Sequence, residues 1–273
     1  MSTLKQKYGP WAVVTGASDG IGREIACRLA EAGLHVVAVA RRQARLRTLA
    51  QALQTNSDVQ VRVVDADLST DEGWQSVLRA TTDLDVGLLV ACAGFGGSGD
   101  FVDAELTHEL EMVDVNCRAL MALTHEYGRR FTEQGRGGMV LMSSLVAFQG
   151  VPRAAHYAAT KAYVQALAEG LRIELAPRGV DVLASAPGPV HSGFASRADM
   201  EMGMGLYPVQ VAQATLDALG RRTTVRPGWL SKFLEASLSL LPRSLRVRIM
   251  ALVMGGMTKH QRTTLPEGTR SSH

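Results

Sequence analysis

The chain has 273 residues, 46% of them hydrophobic and 20% charged, enough apolar material for a sizeable core and unlike a disordered or collagen-like polymer. The formal net charge is only +3 and its excess sits after Arg221, so the main body presents no nucleic-acid face. The three cysteines, Cys27, Cys92 and Cys117, lack CxxC spacing and a histidine partner pattern, so neither a metal site nor a disulfide frame is expected. No apolar run reaches the ~18 residues of a membrane span, and no signal peptide is read in the short polar stretch before the first strand, so a cytoplasmic location is the default.

Residues 11–15 are a short apolar run of buried-strand type. Gly16, Ser18, Asp19, Gly20, Ile21 and Gly22 follow in a Gly-x3-Gly-x-Gly loop. It opens a helical pattern through Ile25, Ala26, Leu29 and Ala30, with Gly33 where a helix C-terminal glycine belongs. A second β-branched run covers 34–40. In a βαβ unit of about thirty residues, such a loop lets the backbone approach a pyrophosphate resting on the positive end of the helix. The second strand ends in Arg41 and Arg42. NAD binders carry an acid there for the ribose 2′-hydroxyl, whereas arginine suits a 2′-phosphate, so the expected cofactor is NADP(H). The alternative is that both arginines begin the solvated face of the next helix, with Arg45 and Arg47.

A helix over 45–53 and a strand over 59–64 come next. Asp67-Leu68 then falls at a strand's C-terminal end, where doubly wound sheets bind ligands. Asp67 either accepts from an adenine amino group or caps the helix beginning near Thr70. A fourth strand, 84–90, runs into Ala91-Cys92-Ala93-Gly94-Phe95, whose small residues permit close approach to a ribose and a nicotinamide. Residues 106–130 form one long helical pattern holding Asn116 beside Val113, Val115 and Leu120. A buried asparagine needs partners, and by spacing alone Asn116 is a structural hydrogen bonder.

A fifth strand over 138–142 ends in Ser143 and Ser144. The helix after it carries Tyr157 and Lys161, one turn apart and so on one face. A tyrosine hydroxyl titrates near ~10, and a neighbouring ammonium pulls that value down, so such a pair can exchange a proton with an alcohol or carbonyl. Taken alone, the spacing is better read as a chance pair on an ordinary helix face. A sixth strand, 180–186, leads to Pro187-Gly188-Pro189-Val190-His191-Ser192. The alternation predicts an α/β fold, a Rossmann-type doubly wound parallel sheet with helices on both faces.

Over residues 8–195 the chain resembles the short-chain dehydrogenase/reductase family. The resemblance rests on Thr15-Gly16-x3-Gly20-Ile21-Gly22, Asp67, Asn116, Ser144, Tyr157-x3-Lys161 and Pro187-Gly188-x-Val190, in family order. It implies Tyr157 as the acid/base, with Lys161 lowering its pKa and holding the nicotinamide ribose. Ser144, not Ser143, would hydrogen-bond the substrate oxygen, where charge changes during hydride transfer. Asn116 would hold a kinked helix and join Lys161 to a proton relay through a water. Val190 backbone groups and Ser192 would fix the nicotinamide carboxamide, and Pro187, Gly188, Leu68, Ala93 and Gly94 would line the cofactor. Many relatives carry Asn-Asn-Ala-Gly where this chain has Ala91-Cys92-Ala93-Gly94, a loss of two amides worth on the order of 1 kcal/mol each if buried. A homodimer or homotetramer is implied as well.

Residues 193–207, with Met200, Met202 and Met204 among glycines, fall where the family has a mobile segment over the substrate, and methionine suits an apolar one. Phe95, Val146, Phe148, Gln149, His156, Met200 and Met204 are the candidate substrate residues by sequence position; His156 and His191 read as neighbours rather than catalysts. Pro208 opens a helix over 209–219. Two apolar-rich segments, 229–241 and 245–254, the second flanked and interrupted by Arg243, Arg246 and Arg248, are separated by Pro242. This pair caps the cleft, forms a subunit contact, or makes peripheral membrane contact through 229–254. Residues 259–273 are polar and expected to be flexible.

The expected plan is a single catalytic domain over 1–225, an amphipathic helical extension over 226–258, and the tail. The extension resembles the branch containing long-chain 3-oxoacyl-CoA reductases and 17β-hydroxysteroid dehydrogenases. The expected activity is NADP(H)-dependent interconversion of an apolar ketone and a secondary alcohol. The alternatives are reduction of a 3-oxoacyl thioester and, outside enzymes, a cofactor-sensing or membrane-recruited binding protein.

Overall fold

Seven strands, β1 (Trp11–Thr15), β2 (His35–Ala40), β3 (Val61–Asp65), β4 (Val86–Ala91), β5 (Gly137–Met142), β6 (Val180–Ser185) and β7 (Thr224–Val225), pair in parallel in the order β3-β2-β1-β4-β5-β6-β7. The computed structural model describes residues 3–200, 205–228, 241–259 and 261. Strands β1, β4 and β5 are buried along their whole length, which is why they read as continuous apolar runs and not as alternation.

Each face of the sheet has its own core. On one, Ile25 and Leu29 of α2 (Gly20–Glu31), Leu46, Leu49 and Leu53 of α3 (Gln43–Asn56), and Ala212 and Leu216 of α9 (Pro208–Ala218) pack together. On the other, Val77 of α4 (Asp71–Arg79), Leu123, Tyr127 and Phe131 of α6 (Leu120–Gln134), and Val164 and Ala168 of α7 (Ala155–Leu175) do the same. The strand order reverses between β1 and β4, so the loops leaving their C-terminal ends part and open a crevice there.

Four local differences from the sequence expectation matter. Residues Thr3–Tyr8 form a short helix, α1, whose Tyr8 hydroxyl donates to Asp181 Oδ2 at 2.8 Å across the sheet. The helix expected over 106–130 is two, α5 (Leu106–Val113) and α6, joined by a π turn at Asp114–Ala119. Thr70, not Asp67, caps α4: its side chain accepts from Gly73 N at 3.0 Å, while Asp67 Oδ1 accepts from Ser69 N and Oγ. Strand β7, two residues long, is too short to carry a periodic signal.

After β6 the chain forms α8 (Gly193–Arg197), and Val190 then bridges in parallel to Leu206. Met202 and Met204 of the expected lid, and residues 229–240 of the extension, lie outside the described residues. The other half of the extension is α10 (Arg243–Met257), and it sits over the cleft, the role weighed against a subunit contact and a membrane contact. Its Met254 is 3% exposed, packed on Val151, Ala154 and Ala158, with Val146, Met200, Met250 and Met257 around it. Gln261, in the stretch expected to be flexible, is hydrogen-bonded to Arg153, Ser98 and Asp199.

Candidate active site

A single continuous cavity of about 710 Å³ occupies the crevice and runs out under α10. That volume suits a dinucleotide-sized or drug-sized ligand with a second molecule beside it. Its first half is the glycine loop. Gly16 has a φ of 70°, and a Cβ there would lie 3.0 Å from the Ala93 backbone; a Cβ at Gly22 would come 2.5 Å from the Gly16 carbonyl oxygen. The glycine loop, the first turn of α2 and the loop after β4 are therefore packed backbone to backbone, the arrangement a pyrophosphate-binding turn requires. Asp19 is the N-cap of α2, accepting from Gly20 N at 2.8 Å.

Arginines gather at the outer end. Arg42 Nη2 donates to Ser18 Oγ at 3.1 Å and stands 3.4 Å from Asp19 Oδ2, which Arg45 also approaches at 3.3 Å. Arg41 donates to Glu111 Oε1 at 2.9 Å and lies 3.9 Å from Asp67 Oδ2. Arg197, on α8, lines the same end of the cavity. Its pKa is lowered by burial and then by repulsion from Arg42, Arg41 and Arg45, with Asp19 opposing. The residues present thus fit the phosphates of a dinucleotide: an N-terminal helix turn without side-chain bulk, then cations in excess of nearby acids.

Tyr157, Lys161, Ser143 and Ser144 meet at the middle of the cavity. Ser143 turns inward and donates to the Lys161 carbonyl at 3.1 Å, whereas Ser144 accepts from Val146 N and is near enough to Tyr157 to oppose the rise of its pKa. Lys161 Nζ lies 5.8 Å from the centre of the Tyr157 ring and donates to the Met142 carbonyl at 2.9 Å. The expected lowering of the tyrosine by the lysine is not what this environment produces. Burial pushes Tyr157 up to about 12 against the opposing bond from Ser144, and burial pulls Lys161 down to about 8. Desolvation wins because both groups sit in a dry wall and the ammonium is turned to a carbonyl.

Asn116 stands behind this group, fully buried, in the π turn. Its Oδ1 accepts from Phe95 N at 3.0 Å, and its Nδ2 donates to the Phe95 carbonyl at 2.8 Å and to Thr160 Oγ1 at 3.0 Å. The loop after β4 is tied to the end of β1 by Thr15, whose Oγ1 accepts from Cys92 N and Ala93 N, each at 3.0 Å. Thr15 stands in the motif that carries the family resemblance, but no role was read for it from the sequence. Burial raises the Cys92 thiol to about 12, so it stays a neutral packing group.

The far half is apolar. Phe95, Val146, Phe148, Gln149 and Met200 line it as expected; Met204 lies outside the described residues. His156 does not line it: in the first turn of α7 it is turned to α5, with Nε2 3.0 Å from the Glu109 carbonyl. Two contributors were missed: Phe194 packs on Tyr157 with ring centroids 5.4 Å apart, and His108 stands edge-on to Phe95 at 5.1 Å. The roof made by Met250, Val253, Met254 and Met257 of α10 is the cleft-capping role weighed for this segment, although none of the four was named as a substrate residue. Positions 250, 254 and 257 form one helical stripe, so that signal was present.

The short chain dehydrogenase profile matches residues 10–202, and the chain belongs to the short-chain dehydrogenase/reductase family. It is thus an oxidoreductase working between CH–OH and C=O, in a family that uses NAD(P). It is 32% identical over 233 residues to the 7beta-hydroxysteroid dehydrogenase of Clostridium sardiniense, spanning 84% of this chain and 89% of that one. With the very-long-chain 3-oxoacyl-CoA reductase of Podospora anserina it shares 36% identity over 181 residues, 64% of this chain and about half, 53%, of the relative. A solved structure addressing 7beta-hydroxysteroid dehydrogenase stereoselectivity superposes with a TM-score of 0.85 at 27% identity, over 92% of this chain and 99% of its own. A Sphingobium yanoikuyae short-chain dehydrogenase in complex with NADPH gives 0.77 at 26%, over 97% and 99%.

Thr15→Val removes the hydroxyl partner of Ala93 N and leaves Cys92 N only the Val90 carbonyl at 3.1 Å, so it is expected to lower unfolding free energy by about 1–3 kcal/mol, while Thr15→Ser stays close to wild type. Urea unfolding of the two variants checks this, and equal stability would show that the hydroxyl does not hold the loop.

Proposed function

We propose that the chain is an NADP(H)-dependent reductase of a bulky apolar ketone, working reversibly with the secondary alcohol. The observation that carries this is the continuity of the cavity: a glycine-and-arginine half meets an apolar half, with Ser144, Tyr157 and Lys161 at the junction. A bound NADPH supplies the hydride for the carbonyl carbon. Tyr157, held near 12 by burial, keeps its proton at neutral pH and gives it to the carbonyl oxygen. Ser144 donates to the same oxygen as charge builds there. Lys161 holds the nicotinamide ribose and, while charged, stabilises the tyrosinate left behind; Asn116 extends the proton path through a water. Val190 backbone groups and Ser192 orient the carboxamide. Arg41, Arg42 and Arg197 read the 2′-phosphate, a preference in keeping with the NADPH complex of the Sphingobium relative.

The substrate class follows from the roof of methionines and the two aromatic walls, which fit a large, rigid apolar body such as a ketosteroid. The 7beta-hydroxysteroid dehydrogenase relatives support that reading. A second reading, reduction of a 3-oxoacyl thioester, is supported by the Podospora relative. NADPH oxidation measured against ketosteroids, 3-oxoacyl thioesters, diketones and aryl ketones separates them. We also propose a homodimer or homotetramer built on α5 and α7, which leave Leu106, Leu110, Tyr163 and Ile173 exposed. Among the described residues no helix is long and apolar enough to cross a membrane.

Tyr157→Phe is expected to reduce kcat by about 1000-fold or more while leaving the NADPH dissociation constant nearly unchanged; normal turnover would remove Tyr157 from the chemistry. In the wild type, ketone reduction falls as pH rises through about 8, where Lys161 loses its charge while Tyr157 is still protonated. A rate that stays flat across that range contradicts the role given to Lys161. Arg41→Ala should weaken NADPH by about tenfold and NADH far less; fluorescence titration reads both, and equal losses would mean that Arg41 does not see the phosphate. Light scattering reporting a monomer at micromolar concentration would rule out the assembly.

A further inference from the structure

Beyond the end of α10 the chain returns to the cleft, and one side-chain amide there touches three loops. Gln261 Oε1 accepts from Arg153 Nη2 at 2.6 Å. Its Nε2 is shared between Ser98 Oγ at 2.9 Å, the Asp199 carbonyl at 2.9 Å and Asp199 Oδ2 at 2.8 Å. Arg153 also donates from Nε to the buried Thr258 hydroxyl at 2.6 Å and from Nη1 to Asp100 Oδ1 at 3.2 Å. The loops are joined to one another as well: Gly99 N donates to the Arg153 carbonyl at 2.9 Å, and Ser98 Oγ to the Ala198 carbonyl at 2.7 Å.

Each of these loops continues directly into a wall of the substrate half. Ser98 follows Phe95, Arg153 precedes the first turn of α7 with Tyr157, Asp199 precedes Met200, and Gln261 follows the methionine face of α10. Moreover, Arg153 (φ 65°) and Asp199 (φ 50°) are the two non-glycine residues with positive φ among the described residues. Side chains disfavour that conformation, and it persists where the surroundings over-determine it. Both residues are direct partners of Gln261.

From this convergence we propose that Gln261 is a positioning residue, a clasp that holds the four walls of the substrate half in register for a bulky ketone. The proposal rests on the reading of that half as the ketone site. The clasp lies away from the glycine loop and from Arg41 and Arg42, and Arg197 is held within α8 by its own bond to the Gly193 carbonyl at 3.1 Å, so the cofactor half is independent of it. A residue that merely pinned the tail would alter stability and leave the balance between large and small ketones alone.

The test uses the full chain with NADPH, androstenedione as a large ketone and cyclohexanone as a small one. Gln261→Ala should raise the KM for androstenedione about tenfold more than the KM for cyclohexanone, with the NADPH dissociation constant within about twofold of wild type. Gln261→Glu keeps the acceptor for Arg153 but sets a carboxylate against Asp199, so its defect is at least as large. Adding Asp199→Asn restores a donor–acceptor pair of reversed sense and should recover most of the loss. Hydrogen exchange should quicken in Gln261→Ala over residues 95–100, 150–158 and 198–200 and stay unchanged over 16–22.

Unchanged exchange in those loops, an unshifted ratio of the two KM values, a parallel rise in the NADPH dissociation constant, or no recovery in the double variant would each overturn the clasp. A wild type that reduces neither ketone would instead overturn the ketone reading, and the clasp with it, and is told apart because the failure precedes any substitution.

Discussion

Asn116 ties together two parts of the chain that no strand pairing joins. Its amide closes on both backbone groups of Phe95 and on the Thr160 hydroxyl, and so fixes the loop after β4 against the helix of Tyr157 and Lys161. An ordinary α-helical turn would not bring an asparagine of this long helix to that point; the π turn at Asp114–Ala119 adds the needed offset. Such turns interrupt good hydrogen bonding, and this one is retained where it delivers a buried polar group with every partner in place. The placement of Gly94, which a Cβ would push into Asn116 Oδ1 and towards Lys161 Nζ, follows from the same clamp.

Around that clamp, burial and charge pull in opposite directions. Tyr157 and Lys161 are buried enough to shift both towards their neutral forms, so Tyr157 keeps its proton at neutral pH while Lys161, brought down to about 8, stays charged only below that value. The outer end behaves differently. Exposed arginines there share Asp19, Glu111 and Asp67, ion pairs that are individually weak and readily exchanged for a stronger anion. One cavity therefore holds a preorganised dry centre and an adaptable charged rim.

The parts legible in the sequence were those with a local period or a fixed spacing. The glycine loop between two apolar runs, the serine and the Tyr157–Lys161 pair were all read at their positions, as was the parallel sheet. The parts missed depend on contacts between distant segments. The π turn has no composition signature, because its cause is the partner that Asn116 reaches. Thr15 holds a loop nearly eighty positions later, a contact invisible until β1 and β4 are neighbours. The direction of the Tyr157 shift was misjudged because pair spacing says nothing of solvent. His156 was placed beside the reacting groups by sequence proximity, yet its helix face points to α5.

The position of α10 also has a temporal side. Strands β1 to β6 and the glycine loop are all made of chain that precedes residue 193, whereas the roof is supplied by residues after 242. Domains synthesised from the N-terminus can condense before later segments emerge. The sheet and its phosphate-facing turn can thus take shape while the apolar half still lacks its cover, exposing Val151, Ala154 and Ala158 until α10 arrives. During that interval a folding chain would be more vulnerable to self-association than the finished protein.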